Sequence, residues 1–181
     1  MAILNDDETD VGSAGEARMT LVEHLTELRK RLVISLLAVT AGAVVVFAFY
    51  NPILEFLLEP YKQVKGDDVK VYVTDPLEGI TTRLKVAGWG GLFAASPVVL
   101  WQVWRFITPG LHKKEKRYAV PFVLASLLLF GLGLALAYVT FPKALDFLVG
   151  VSGPNVEEIF SPNRYITFLL RVMLAFGLAF E

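Results

Sequence analysis

Four stretches of this chain are long and apolar enough to cross a lipid bilayer, and this excludes most other architectures. A spanning helix needs about 20 mostly apolar residues, because the hydrocarbon core is ~30 Å thick and a helix rises 1.5 Å per residue. The candidates lie at about 32–50, 86–104, 118–141 and 165–181. Inside hydrocarbon every backbone polar group must be bonded within the protein. The expected fold class is therefore all-α, a polytopic helical membrane protein. Composition agrees: 55% of the 181 residues are apolar, 19% are charged, and the mean hydropathy is +0.55. The first stretch has a rival reading as a removable leader. "RKRLVISLLAVTAGA" has a basic start and a small-residue end. Its apolar run continues through "VVVFAFY", which favours a retained span.

The spans sit in one transmembrane domain, 20–181, after a polar tail, 1–19, whose small and acidic residues predict disorder. Thr20 and Glu23 have capping-box spacing. Leu21, Leu25, Leu28 and Leu32 form an apolar stripe, so an amphipathic helix leads into the first span. Arg29, Lys30 and Arg31 abut that span. The short loop "RFITPGLHKKEKR" between spans two and three carries Arg105, Lys113, Lys114, Lys116 and Arg117. Basic residues crowded beside span ends place the N-terminus and this loop in the cytoplasm. On the opposite side, "NPILEFLLEPYKQV" suits an interfacial helix ended by Pro60. "VKVYVTDPLEGITTRLK" reads as a short alternating run and then an amphipathic helix after Pro76. Residues 142–164, with Pro142, Pro154 and Pro162, read as a capped loop.

Several chemistries are excluded or disfavoured. Without cysteine there are no disulfides, thiolate metal sites or cysteine nucleophiles. His24 and His112 lie far apart and suggest no metal cluster. No hydrolase, metalloprotease, P-loop or dinucleotide fingerprint is present, so neither an enzyme nor a cofactor is expected. A net charge of −1 gives no reason to expect nucleic acid. Gly88-Trp89-Gly90-Gly91 reads as a place where helices approach closely rather than as a nucleotide loop. Pro97 predicts a kink or an end in the second span.

Glu27 and Glu115 each sit within a basic segment at a span edge. One reading is a local ion pair, Glu27 with Lys30 or Arg31 at i+3 or i+4. The other is a pair of carboxylates awaiting a basic peptide, since a guanidinium matches a carboxylate bidentately and an ammonium does not. Arg171 and Glu181 lie in the fourth stretch, ten residues apart and unable to pair along one helix.

"HLTELRKRL", "SPVVLWQVWRFITPGLHKKEKR" and "LAFGLAFE", in this order and spacing, resemble the TatC family, the large membrane subunit of the twin-arginine protein translocase. The resemblance covers 20–181. It implies a cup-shaped bundle of six spans, of which this sequence would hold the first four, truncated after the fourth. It implies a receptor for the paired-arginine signal peptides of folded cargo, working at an energised prokaryotic plasma membrane with the N-terminus cytoplasmic. TatA-type and TatB-type single-span subunits, membrane lipid and further copies of the chain are the implied partners. Glu27 and Glu115 match the acids that contact the twin arginines, and Arg29 and Phe106 match further signal-peptide positions. Pro60, Gln102 and Glu181 match functionally sensitive positions. Arg171 falls where the family leads one to expect a small or apolar residue. A small-solute or ion transporter using Glu181 and Arg171 is the alternative function. It lacks the paired repeats and second broken helix usual for that class. An intramembrane hydrolase lacks a nucleophile–base set.

Overall fold

The computed structural model describes residues 21–66, 75–107, 119–151 and 161–181. These form α1 (Leu21–Ala48), α2 (Tyr50–Lys65), α3 (Glu78–Ile107), α4 (Ala119–Val151) and α5 (Pro162–Phe180). No strand occurs among the described residues. α1, α3, α4 and α5 are long and apolar enough to cross a membrane. α2 has 16 residues and is too short to do so, which suits a helix lying at the interface.

All four expected spans are present, with longer boundaries than the apolar runs alone suggested. The charged helix before the first span and the amphipathic segment before the second are continuous with their spans. Nothing in either junction breaks a helix, so the hydrogen-bond ladder runs through. Pro60 does not end α2, which continues to Lys65. Pro97 does not end α3. α4 passes through Pro142 to Val151, where a loop was expected. Thr20 and the alternating run before Asp75 lie outside the described residues.

Side-chain contacts set the helix directions. α1 runs antiparallel to α3: Arg31 meets Gln102, Gly42 meets Gly91, and the Arg83 guanidinium lies 4.9 Å from the Phe47 ring and 4.7 Å from the Tyr50 ring. α4 runs antiparallel to α5, with Phe141 against Tyr165 and Phe168, and Gly133 against Gly177. The starts of α3 and α5 lie together, as Glu78 and Lys85 both reach residues 161–167. The starts of α1 and α4 and the ends of α3 and α5 therefore share one end of the bundle, called proximal below. α2 lies at the other, distal end.

Two glycine pairs set the spacing. A Cβ on Gly91 would lie 2.5 Å from the Ala43 nitrogen, and one on Gly42 would lie 2.9 Å from the Gly91 carbonyl oxygen. The α1 and α3 backbones are thus in direct contact, as expected from the glycine run. At Gly133 a Cβ would lie 2.6 Å from the Phe176 carbonyl oxygen. Lipid supplies no hydrophobic force between helices, so such close packing carries the association.

α2 is docked through its own backbone. Pro60 has no N–H, so the Phe56 carbonyl four residues earlier loses its helical donor. The Tyr138 hydroxyl of α4 donates to that carbonyl at 2.7 Å, and its ring stacks on Phe56 at 4.3 Å. The buried Tyr165 hydroxyl of α5 donates to the Leu57 carbonyl at 3.1 Å. At the same distal end Glu78, only 4% exposed, accepts from the Ser161 hydroxyl and from the Asn163 amide. This ties the start of α3 to the start of α5.

Gly91→Val should lower stability by about 1–3 kcal/mol, the range for overpacking a tight contact. Gly131→Ala, where nothing lies within 4 Å of the added carbon, should be neutral; thermal unfolding in detergent reads both. Tyr138→Phe should cost about 1 kcal/mol in the native background. In a Pro60→Ala background the restored amide satisfies Phe56, and the same substitution should cost clearly less. Equal costs in a double-mutant cycle would refute the carbonyl account.

Candidate functional site

At the proximal end, α1 presents positions 24, 27 and 31 on one face, at steps of three and four residues. α3 presents 102 and 106 opposite them. The geometry follows from this register. Arg31 Nη2 donates to Glu27 Oε1 at 2.9 Å, with the two side chains 15% and 16% exposed. Arg31 Nη1 donates to Oε1 of buried Gln102 at 3.2 Å. One turn nearer the end, the His24 and Phe106 rings stack with centroids 4.3 Å apart. A guanidinium thus bridges the two helices, and an aromatic pair closes the gap below it.

The two carboxylate oxygens of Glu27 differ. Oε1 holds Arg31. Oε2 is buried and has no hydrogen-bond partner, and the same is true of Arg31 Nε. An unpaired buried acceptor is costly, about 1–3 kcal/mol for an ordinary polar group and more for a charged one. Glu27 therefore keeps acceptor capacity that a further donor would satisfy. A cleft of about 420 Å³ borders it, lined by Val22, Glu23, Thr26, Glu27, Lys30 and Arg31. The exposed apolar surface of α1 continues from there through Leu25, Leu32 and Leu36.

The residues predicted from sequence are distributed unevenly. Glu27, Gln102 and Phe106 come together around Arg31 and His24. Arg29 is exposed on the same helix, two positions beyond Glu27. Glu181 is exposed and follows α5 at the proximal end. Pro60 lies at the distal end and acts on α2 docking, remote from Glu27. Glu115 lies outside the described residues. The local reading of Glu27, an i,i+4 pair with Arg31, is present. The link from Arg31 to Gln102 and the His24 stack were missed. The three-and-four spacing of 24, 27 and 31 was the available signal. Glu78, read only as part of an amphipathic helix, is a buried tether.

Residues 23–181 match the family described as Sec-independent protein translocase protein (TatC). The TatC protein of Frankia casuarinae is 39% identical over 177 residues, which cover 92% of this chain and 49% of the relative. That of Aquifex aeolicus is 40% identical over 166 residues, covering 90% of this chain and 69% of the relative. The chain spans about half the length of the first of these relatives and about two thirds of the second. A crystal structure of the twin arginine translocase receptor TatC superposes with a TM-score of 0.80 at 40% identity, over 88% of this chain and 71% of that one. With four helices fit to cross a membrane, the same fold as that receptor and a family match along nearly its whole length, this multi-pass membrane chain belongs to the TatC family.

Proposed function

We propose that this chain forms the signal-peptide-receiving part of a twin-arginine protein translocase, which exports folded proteins across an energised membrane. The observation that carries the reading is the state of Glu27: one oxygen is held by Arg31, and the other is buried without a donor beside an open cleft. An arginine from a cargo peptide supplies two parallel N–H donors in the geometry a carboxylate accepts. It can engage Oε2 and share or displace Arg31 on Oε1. Glu115, in the basic loop that follows α3, supplies the second carboxylate for the second arginine. Arg29 and Phe106 flank the peptide, and the apolar faces of the spans take its hydrophobic segment. Recognition then combines charge pairing with burial and involves no covalent chemistry. The solved relative's description as a receptor supports this reading.

In this reading the proximal end faces the cytoplasm of a prokaryotic plasma membrane, since Arg29, Lys30 and Arg31 lie there and the basic segment 105–117 follows α3 and precedes α4 in the sequence. TatA-type and TatB-type subunits and further copies of the chain complete the translocase, and the proton-motive force drives it. The transporter alternative is not favoured by the family match.

The test is binding of a labelled signal peptide to the full-length protein in nanodiscs. An Arg-Arg peptide should bind more tightly than its Lys-Lys counterpart by about tenfold, a difference of ~1.4 kcal/mol. Glu27→Ala and Glu115→Ala should each remove that preference. Equal binding of the two peptides, or indifference to both substitutions, would refute the receptor reading. Separately, Glu27→Cys combined with Glu115→Cys should cross-link through a short bismaleimide, and prior addition of the Arg-Arg peptide should slow the reaction. Failure to cross-link would place the two acids in different pockets.

A further inference from the structure

The distal end carries a positive cluster that the proximal site does not use. A recess of about 290 Å³ on the α3–α5 seam is lined by Lys85, Asn163, Arg164, Thr167, Phe168 and Arg171. Lys85 Nζ donates to Asn163 Oδ1 at 2.7 Å and to Thr167 Oγ1 at 3.4 Å. Thr167 follows Arg164 by three residues and precedes Arg171 by four, so all three share one face of α5. The ammonium is thereby held over α5 between two guanidinium-bearing positions. Among the described residues, no carboxylate lines this recess. Arg164 also borders a neighbouring recess that contains Asp75 and Glu78, but it forms no ion pair with either. Arg171 has no ion-pair partner among the described residues.

Depth sharpens the problem. Arg171 lies seven residues, or about 10 Å of helix axis, below Arg164 and within a span. Charges at such depth are normally paired or turned to water. Three adjacent cations with no acid among the described lining residues attract an external anion, and the exposed Arg171 side chain can extend from within the span toward one at the headgroup boundary. The exposed Phe168 ring, 40% accessible, gives the same recess an apolar wall.

We propose that this recess binds the phosphate headgroup of an anionic membrane lipid in the leaflet opposite the proximal site. The phosphate sits between Lys85 and Arg171, and the acyl chains run along Phe168. Arginine and lysine both bind phosphate, and basic pockets between membrane helices suit anionic headgroups. A soluble anion would satisfy the charge alone, whereas a lipid phosphate at the headgroup boundary also uses the exposed Phe168 wall for its acyl chains. The lipid would thereby stabilise the α3–α5 seam that Glu78 also fastens.

Native mass spectrometry of the full-length protein, released from nanodiscs holding equal phosphatidylglycerol and phosphatidylcholine, tests this. The wild type should retain phosphatidylglycerol several-fold over phosphatidylcholine. Lys85→Gln with Arg171→Gln should bring the ratio near one. Lys62→Gln, which removes an exposed distal cation on α2, should leave it unchanged. Arg171→Lys should keep the preference. If the double variant is unstable in detergent, Lys85→Gln alone should reduce the ratio. Equal retention by the wild type, or an unchanged ratio in the charge-removing variants, would overturn the proposal. Displacement of the lipid by inorganic phosphate would also overturn it, since it would mark a soluble-anion site.

Discussion

The direct backbone contact between α1 and α3 at Gly42 and Gly91 is the constraint on which the rest depends. Side chains larger than hydrogen at these points would part the helices by a substantial fraction of their spacing. At the proximal end the consequences would be immediate. A guanidinium on α1 reaches a glutamine on α3 only because the axes are this close, and the 4.3 Å ring stack of His24 on Phe106 has the same requirement. At the distal end the same spacing lets Arg83 of α3 lie against the Phe47 and Tyr50 rings. The site is thus positioned by residues that contribute no functional group to it.

The two ends of the bundle are fastened differently. Proximally, α1 and α3 are joined by a charged bridge whose members are incompletely satisfied: Glu27 Oε2 and Arg31 Nε lack partners. Distally, the helix-to-helix ties are neutral or fully accepted ones, although Thr82 Oγ1 and Arg83 Nε are buried there without partners. Tyrosine hydroxyls meet backbone carbonyls, and Glu78 accepts from both a hydroxyl and an amide. An incompletely satisfied charged bridge suits a site for an incoming donor, because the new hydrogen bond offsets a cost the empty site already carries.

Much of the fold was legible in the sequence, because the bilayer imposes length and apolarity on each span. The glycine run was legible too, since small residues are how membrane helices approach. Pro60 and Pro142 were misread. Rules from helices in water make Pro60 a terminator, whereas in a membrane protein a neighbour can satisfy the freed carbonyl. Here that neighbour is Tyr138, 82 residues away. The buried role of Glu78 was missed for the same reason: its partner Ser161 is 83 residues distant. Glu27 was singled out from its charge context alone. Gln102 rested on resemblance, because its donor Arg31 lies 71 residues earlier.

The mode of docking of α2 has a bearing on how the chain is built during synthesis. α1 and α3 can pair as soon as both have entered the bilayer. α2 precedes α3 in the chain, yet the Phe56 carbonyl, deprived of its helical donor by Pro60, has no protein donor until Tyr138 has been translated. In the interval that stretch of backbone must stay hydrated at the water boundary. Translation order and the order of maturation are therefore reversed for this helix: an early segment is among the last to settle, and ribosome pausing before residue 138 would prolong its immature, water-bound state.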